Sequence, residues 1–440
     1  MADTARNEHP KKRAARTRLR TPAKLAALAD DALLEAVQRQ TFRFFWETAH
    51  PICGMTRDRV MRSKAPEDDL IAIGGSGFGV LAMIVGVERG WVSRAAAAER
   101  LGRALDLLTR ATCYHGAFPH FMNGRTGATL PFTRKDDGGD LVETSLLFMG
   151  LLCARAFFGR QTAQEARLRR IITDLWRDVE WNWYARDGRT ALYWHWSPNN
   201  GWALNHAIRG WNECLITYVL AAASPSYAVD PVIYRRGFAD GPDYQNGRSY
   251  FGIELPLGPP LGGPLYFAHY SFSGIDPRGL SDRFADYWRQ NVNHVRINRA
   301  HCRANPFHHK GYGAACWGLT SSDDADGYAE HAPDHDSGTI APTAALSSMP
   351  YAPRDALAAA RHFLSTYGDR LWGRYGFVDG FCAGTNWFSD AFIAVNQGPI
   401  VAMIENHRTG LLWRLFMSDP DVKAGMRALK FTSPYLASTS

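Results

Sequence analysis

Apolar residues recur at helical spacing along most of the chain. In the segment 31–49, Leu34, Val37, Thr41, Phe44 and Phe45 fall on one face, the pattern of an amphipathic helix. The run 76–88 is apolar all round and predicts a buried helix. Ser93 stands as an N-cap before Ala97, Leu101, Ala104, Leu105 and Leu108, and Thr162 with Glu165 forms a capping-box pattern at another helix start. Further helices are expected over 140–158, 210–223, 280–300, 341–348, 353–367, 389–404 and 408–416. Between them lie long stretches, 114–139, 194–206, 240–264 and 304–338, rich in Gly, His, Trp and Tyr. Loops of that length inside a compact domain are uncommon unless they carry function.

Strands are few in this reading, with a short hairpin expected only near 188–196. Many helices without a low-complexity linker predict one all-α domain over 29–440, behind a disordered basic tail, 1–28. A solenoid would show a fixed repeat, and none is visible. A closed (α/α)6 toroid of helical hairpins is favoured, because acids and aromatics near helix starts would then converge on one funnel.

The acids at those starts suggest chemistry. Asp136, Asp137, Asp140 and Glu143 crowd the mouth of the apolar helix 140–158, and Asp140 and Glu143, at i and i+3, share a helix face. The same spacing also suits an N-cap and its capping box, so a purely structural role stands beside the functional one. Glu213 differs: it sits between Trp211 and the run Leu215, Ile216, Tyr218, Val219, Leu220. An ionised carboxylate is costly there, and burial would raise its pKa, as a general acid requires. Two carboxyl groups flanking an aromatic-lined cleft are what glycosidic hydrolysis needs.

Composition narrows the picture. The 440 residues are 46% hydrophobic and 21% charged, values of a globular protein, and 12% are aromatic. The net charge of +7 comes largely from the first 24 residues, so no basic groove and no nucleic-acid partner are implied. Neither an apolar signal segment nor a membrane span is visible, which reads as a cytoplasmic protein without a membrane partner. Seven scattered cysteines without CxxC spacing suggest buried thiols and no disulfide framework. Asp323, Asp324, Asp326, Asp334 and Asp336 lack the closing Glu of a calcium loop, and His308-His309 lacks a second metal-spaced pair. No metal and no cofactor is expected, and the chain reads as a monomer.

Several long runs carry a family resemblance: DLVETSLLFMGLL (140–152), GWNECLITYVLAAASP (210–225), CWGLTSSD (316–323), GTIAPTAALSSMPYAP (338–353) and NQGPIVAMIENHRTGLLW (396–413). In this order they resemble the glycoamylase-like domain of glycoside hydrolase family 144. The resemblance implies an (α/α)6 toroid, an inverting mechanism, and β-1,2-glucan or its oligosaccharides as substrate. Family members cut within the chain or release sophorose from one end. Carried over by position, the acids are Asp136, Asp140, Glu143 and Glu213, with Glu213 as general acid. Asn396 stands where related sequences carry Asp, and an amide cannot abstract a proton, so Asp390 or Asp140 would supply the base. Candidate sugar contacts are Trp194, Trp196, His206, Arg209, Trp211, Tyr312, Trp317, Trp387, Asn396, Gln397 and Arg408, whose rings would stack on pyranose faces while polar groups bond hydroxyls. Trp317 and Trp387 also suit a core, and Arg408 a pairing with Glu405. A transglycosylase or cyclic-glucan-processing enzyme on the same scaffold, and a sugar-binding protein without catalysis, are the alternatives.

Overall fold

The computed structural model describes residues 21–186 and 190–437. Among them, thirteen α-helices follow in chain order: α1 Pro22–Ala26, α2 Asp30–Glu47, α3 Ile73–Glu88, α4 Arg94–Leu108, α5 Leu141–Phe157, α6 Ala163–Asp178, α7 Leu215–Ala223, α8 Tyr287–Ala304, α9 Pro342–Ser347, α10 Pro353–Leu371, α11 Ala394–Arg408, α12 Leu411–Ser418 and α13 Pro420–Ala428.

The apolar helices form an inner ring. α3 packs on α5, α5 on α7, α9 on α11, and α11 returns to α3. Between α7 and α9 the ring is completed by 3₁₀ turns, Leu265–Ala268 and Ser271–Ser273, with Ser271 Oγ accepting from Ile216 N at 3.0 Å and His269 bonded to Ser348 at 3.0 Å. The amphipathic helices α2, α4, α6, α8 and α10 lie outside, where one polar face is tolerated. The fold is therefore an (α/α)6 toroid in which the fourth hairpin is reduced to short turns. Its outer member is only a π-helical turn, Tyr234–Phe238, and α13 packs against α7 instead.

Glycine sets the closest contact of the ring. A Cβ on Gly77 would lie 2.0 Å from Leu146 O, and one on Gly150 would lie 2.3 Å from Gly77 O. Without side chains at these positions the backbones of α3 and α5 come together, and the first turn of α5 reaches the first turn of α3.

All six inner members begin at the same end of the ring. Short antiparallel ladders tie their starts together: Leu70–Ala72 with Phe121–Asn123, Gly139–Asp140 with His195–Trp196, and Arg59–Met61 with Ala391–Ile393. The four long loops gather at this end and contain strands of two to six residues, more than the sequence pattern predicts. Alternation is hard to read in so short a strand. The hairpin expected near 188–196 is replaced by the pairing of His195–Trp196 with Gly139–Asp140, residues 187–189 lying outside the described set.

Three boundaries differ from expectation for local reasons. α7 starts at Leu215, because Asn212 Oδ1 accepts from Cys214 N at 2.9 Å and holds the preceding residues in a turn. α8 starts at Tyr287, where Asp286 accepts from Arg289 N at 2.9 Å. Of the disordered basic tail expected over 1–28, residues 1–20 lie outside the described set, whereas 21–28 pack on the domain: Leu25 of α1 is buried and Arg361 of α10 donates to Leu28 O at 2.7 Å. Among the described residues no helix is long and apolar enough to cross a membrane.

Candidate active site

The acids that lead the inner helices meet at the open end of the ring. Asp140 is fully buried and caps α5, its Oδ1 accepting from Val142 N and Glu143 N at 2.9 Å each. Its Oδ2 accepts from Trp194 Nε1 at 3.0 Å and faces His120 Nδ1 at 3.2 Å. The reciprocal half of a capping box is missing. Asp140 N donates to Phe118 O, and Glu143 turns across to the start of α3, where Oε2 accepts from Gly74 N at 2.6 Å. Asp140 is thus both a structural cap and a wall of the site.

These groups share charge unequally. Burial pushes the Glu143 carboxyl up, with Asp140 adding to the rise and His120 opposing it. Asp136 is raised to about 6 by burial and then by Asp140. For His120, burial favours the neutral ring, but Glu143, Asp140 and Asp136 outweigh it and raise the imidazole to about 10. His120, Asp136 and Asp140 place one ligand-type atom each within 4.8 Å of one another. The raised imidazole holds its proton at neutral pH, and its Nδ1 points at Asp140 instead of offering a lone pair.

Glu213 stands one turn along the ring, on the bend before α7. Burial raises its carboxyl to about 7, with smaller contributions from Glu330, Asp140 and Glu143. No arginine pairs with it among the described residues. Its backbone carbonyl accepts from Ser271 Oγ, which fixes the bend against the next member of the ring.

Opposite α7 in the ring lies α11, and there the structure supplies an acid that the sequence reading missed. Asp379 is fully buried, accepts from Asn396 Nδ2 at 2.8 Å and from Asp323 N at 2.7 Å, and is raised to about 7 by burial. Asn396 also accepts from Tyr270 Oη at 3.2 Å and donates to Ser321 O at 3.0 Å. The amide is therefore an orienting group for Asp379. Asp390, considered as a base, is turned to Ser63, accepting from its N at 3.3 Å and from its hydroxyl. Asp379 carries no helical or strand periodicity in sequence, and only the acid lost at Asn396 hinted that a neighbour must replace it.

The other expected contacts separate by position. Trp194, Trp196 and His206 lie on the loops beside Asp140, with the Trp194 and His206 rings stacked at 5.0 Å, and Arg209 is exposed on the same stretch of chain. Trp387 is half-buried on a short ladder, Phe381–Cys382 with Trp387–Phe388. Trp211, Trp317 and Gln397 are buried in packing: Trp211 sits among Tyr244, Phe272 and Tyr287, and Gln397 donates to Phe377 O at 2.8 Å. Tyr312 donates to Asp336 at 2.6 Å, and His301 Nε2 lies 2.8 Å from the other oxygen of that carboxyl, so Tyr312 is held in a hydrogen-bonded cluster. Arg408 is a correction. It lies at the far end of α11 and pairs with Glu35 at 2.8 Å and Gln38 at 3.0 Å, because fifteen helical residues separate it from the ring mouth.

A toroid of helical hairpins with buried acids at one mouth and aromatic walls is the architecture of an α/α-barrel glycoside hydrolase. A family model described as "Putative glucoamylase" matches residues 205–420. An endo-β-1,2-glucanase of Chitinophaga pinensis, solved with sophorotriose and glucose, is 47% identical, covers 93% of this chain and 100% of its own, and superposes with a TM-score of 0.90. A structure from Bacteroides uniformis ATCC 8492, described as a glucoamylase of that same provisional kind, is 53% identical over 93% of this chain and 99% of its own, with a TM-score of 0.91. The exo β-1,2-glucooligosaccharide sophorohydrolase (non-reducing end) of Parabacteroides distasonis is 43% identical over 92% of this chain, and the chain spans 58% of that curated relative's length. The chain belongs to the glycoamylase-like family, glycoside hydrolase family 144.

Proposed function

We propose that the chain hydrolyses β-1,2-linked glucan or glucooligosaccharides with inversion, and that residues 29–440 work as one domain. The observation that carries this reading is the placement of two carboxyls, the half-buried Glu213 and the fully buried Asp379, beside opposite members of the inner ring. Glu213 protonates the glycosidic oxygen as the bond to the anomeric carbon breaks. Asp379, held by Asn396, takes a proton from the water that attacks the opposite face of that carbon. Such a division needs room for water between the carboxyls, about 6.5–9.5 Å in inverting enzymes. Opposite ring positions provide room that neighbouring positions would not.

Asp140 and Glu143 form the wall beside Glu213 and, with Glu330, favour its protonated form. Trp194, fixed to Asp140 by its indole N–H, offers a ring face to a glucosyl unit. The substrate class follows from the relatives, whose descriptions name β-1,2-glucan and its oligosaccharides. Asp379 can supply the base that Asn396 cannot, so hydrolysis is preferred over transglycosylation. Incubation with linear and cyclic β-1,2-glucans, with products resolved by size over time, tests the reading. Shortening products with new reducing ends are expected, and lengthened or cyclised products alone would overturn it.

A further inference from the structure

Trp181 and Trp183, two residues apart, are treated oppositely by the fold. Trp181 is fully buried against Trp176, as a core tryptophan should be, whereas Trp183 keeps 39% of its surface exposed. The exposed ring is rigidly held. It opens the 3₁₀ turn Trp183–Ala185 and donates its backbone N–H to Glu180 O at 2.9 Å. One face stacks on His115, with ring centres 3.7 Å apart and planes within 14°. His115 is pinned in turn, its Nδ1 2.8 Å from Glu180 Oε2 and its carbonyl accepting from Glu180 N at 3.0 Å.

This pair continues a line of rings that starts at the catalytic wall. Residues i and i+2 of a strand project to the same side, so Trp196 follows Trp194 along one face of the ribbon paired with Gly139–Asp140. Trp194 bonds Asp140; Trp196 meets the edges of His115 at 4.9 Å and of Trp183 at 5.7 Å. Trp202 lies alongside, with ring centres 6.4 Å apart and planes within 28°, and the part of the Trp183 ring that stays exposed gains the fold nothing from burial. It suits a partner with a flat apolar face and polar edges, and a pyranose ring has both: C–H groups above and hydroxyls around the rim that Glu180 can accept from.

We infer that Trp183, on its His115 support, is an outer sugar-binding platform for glucosyl units distant from the bond being cleaved, so that it selects longer β-1,2-linked chains. The inference rests on the glucan reading above and adds chain-length selection to it. Trp183→Ala and Trp183→Phe in the full chain test it against a long linear β-1,2-glucan and the shortest β-1,2-linked oligosaccharide the protein cleaves. The alanine variant is expected to raise KM on the long glucan between about twofold and tenfold, the value of one aromatic contact. Its kcat, its kinetics on the short substrate and its melting temperature stay as in the wild type, and phenylalanine restores most of the loss. Equal KM values on the long glucan overturn the platform while the hydrolase reading stands, and so does an equal loss on both lengths, which would mark a structural role. A wild type that cleaves neither length overturns the glucan reading and the platform together.

Discussion

The side-chain amide of Asn396 donates to the buried carboxyl of Asp379 at 2.8 Å, on the member of the inner ring that faces Glu213. A position that cannot hold a base thereby orients one that can. Asp379→Asn is expected to lower kcat by about 10²–10⁴, the usual worth of a positioned base, with oligosaccharide binding retained in calorimetry. A loss below tenfold would remove Asp379 from the chemistry.

Glu213→Gln is expected to reduce turnover by a similar factor of about 10²–10⁴ and to leave binding of oligosaccharide nearly intact. The measurement is single-turnover cleavage alongside titration. Activity that survives the change would assign the proton to another group.

The acid must be protonated and the base ionised, and both Glu213 and Asp379 are held to about 7. Rising pH through 7 strips Glu213 of its proton, and falling pH through 7 puts one on Asp379. A bell-shaped kcat/KM profile with its maximum near neutrality is expected. A plateau from about pH 4 to about pH 6 with no acid limb would contradict these assignments.

The same burial makes the ionised acid a burden on the fold. Folded Glu213 keeps its proton to about 7, against an ordinary value of 4.5, so unfolding releases a proton between those limits and stability falls as pH rises through that window. Glu213→Gln is expected to melt higher than the wild type above neutral pH, by about 1–3 kcal/mol in stability, and to match it below the unfolded value. Calorimetric scans at several pH values check this.

At the far end of the ring, Arg89 makes a two-pronged contact with the fully buried Glu405, at 2.8 and 2.9 Å. Arg89→Ala leaves that carboxylate with only Gln38 and Thr409. A loss of about 3 kcal/mol is expected, read as a lower melting temperature, with KM unchanged because the pair lies a helix length from the site.

Much of the ring was legible in sequence, because five of its inner members are apolar segments of helical length, one of them, α5, with a capping acid at its start. The fourth hairpin was not: Leu265–Ser273 is folded as 3₁₀ turns among Gly and Pro, where helical periodicity is absent. Asp140 and Glu143 announced themselves by capping spacing, and Glu213 by its apolar surroundings. Asp379 sits in Phe377-Val378-Asp379-Gly380, a link between two-residue strands, and only the tertiary contact with Asn396 gives it meaning. Arg408 misled for the opposite reason. Its run matches the family, but the length of α11, about 22 Å at 1.5 Å per residue, carries it away from the mouth to Glu35.

The anomeric form of the first sugar released from β-1,2-glucan, followed by NMR before mutarotation, tests the paired action of Glu213 and Asp379 most directly. Attack by water from the side opposite the leaving group predicts the α-anomer. Initial release of the β-anomer would contradict inversion and require a carboxylate that attacks the sugar itself.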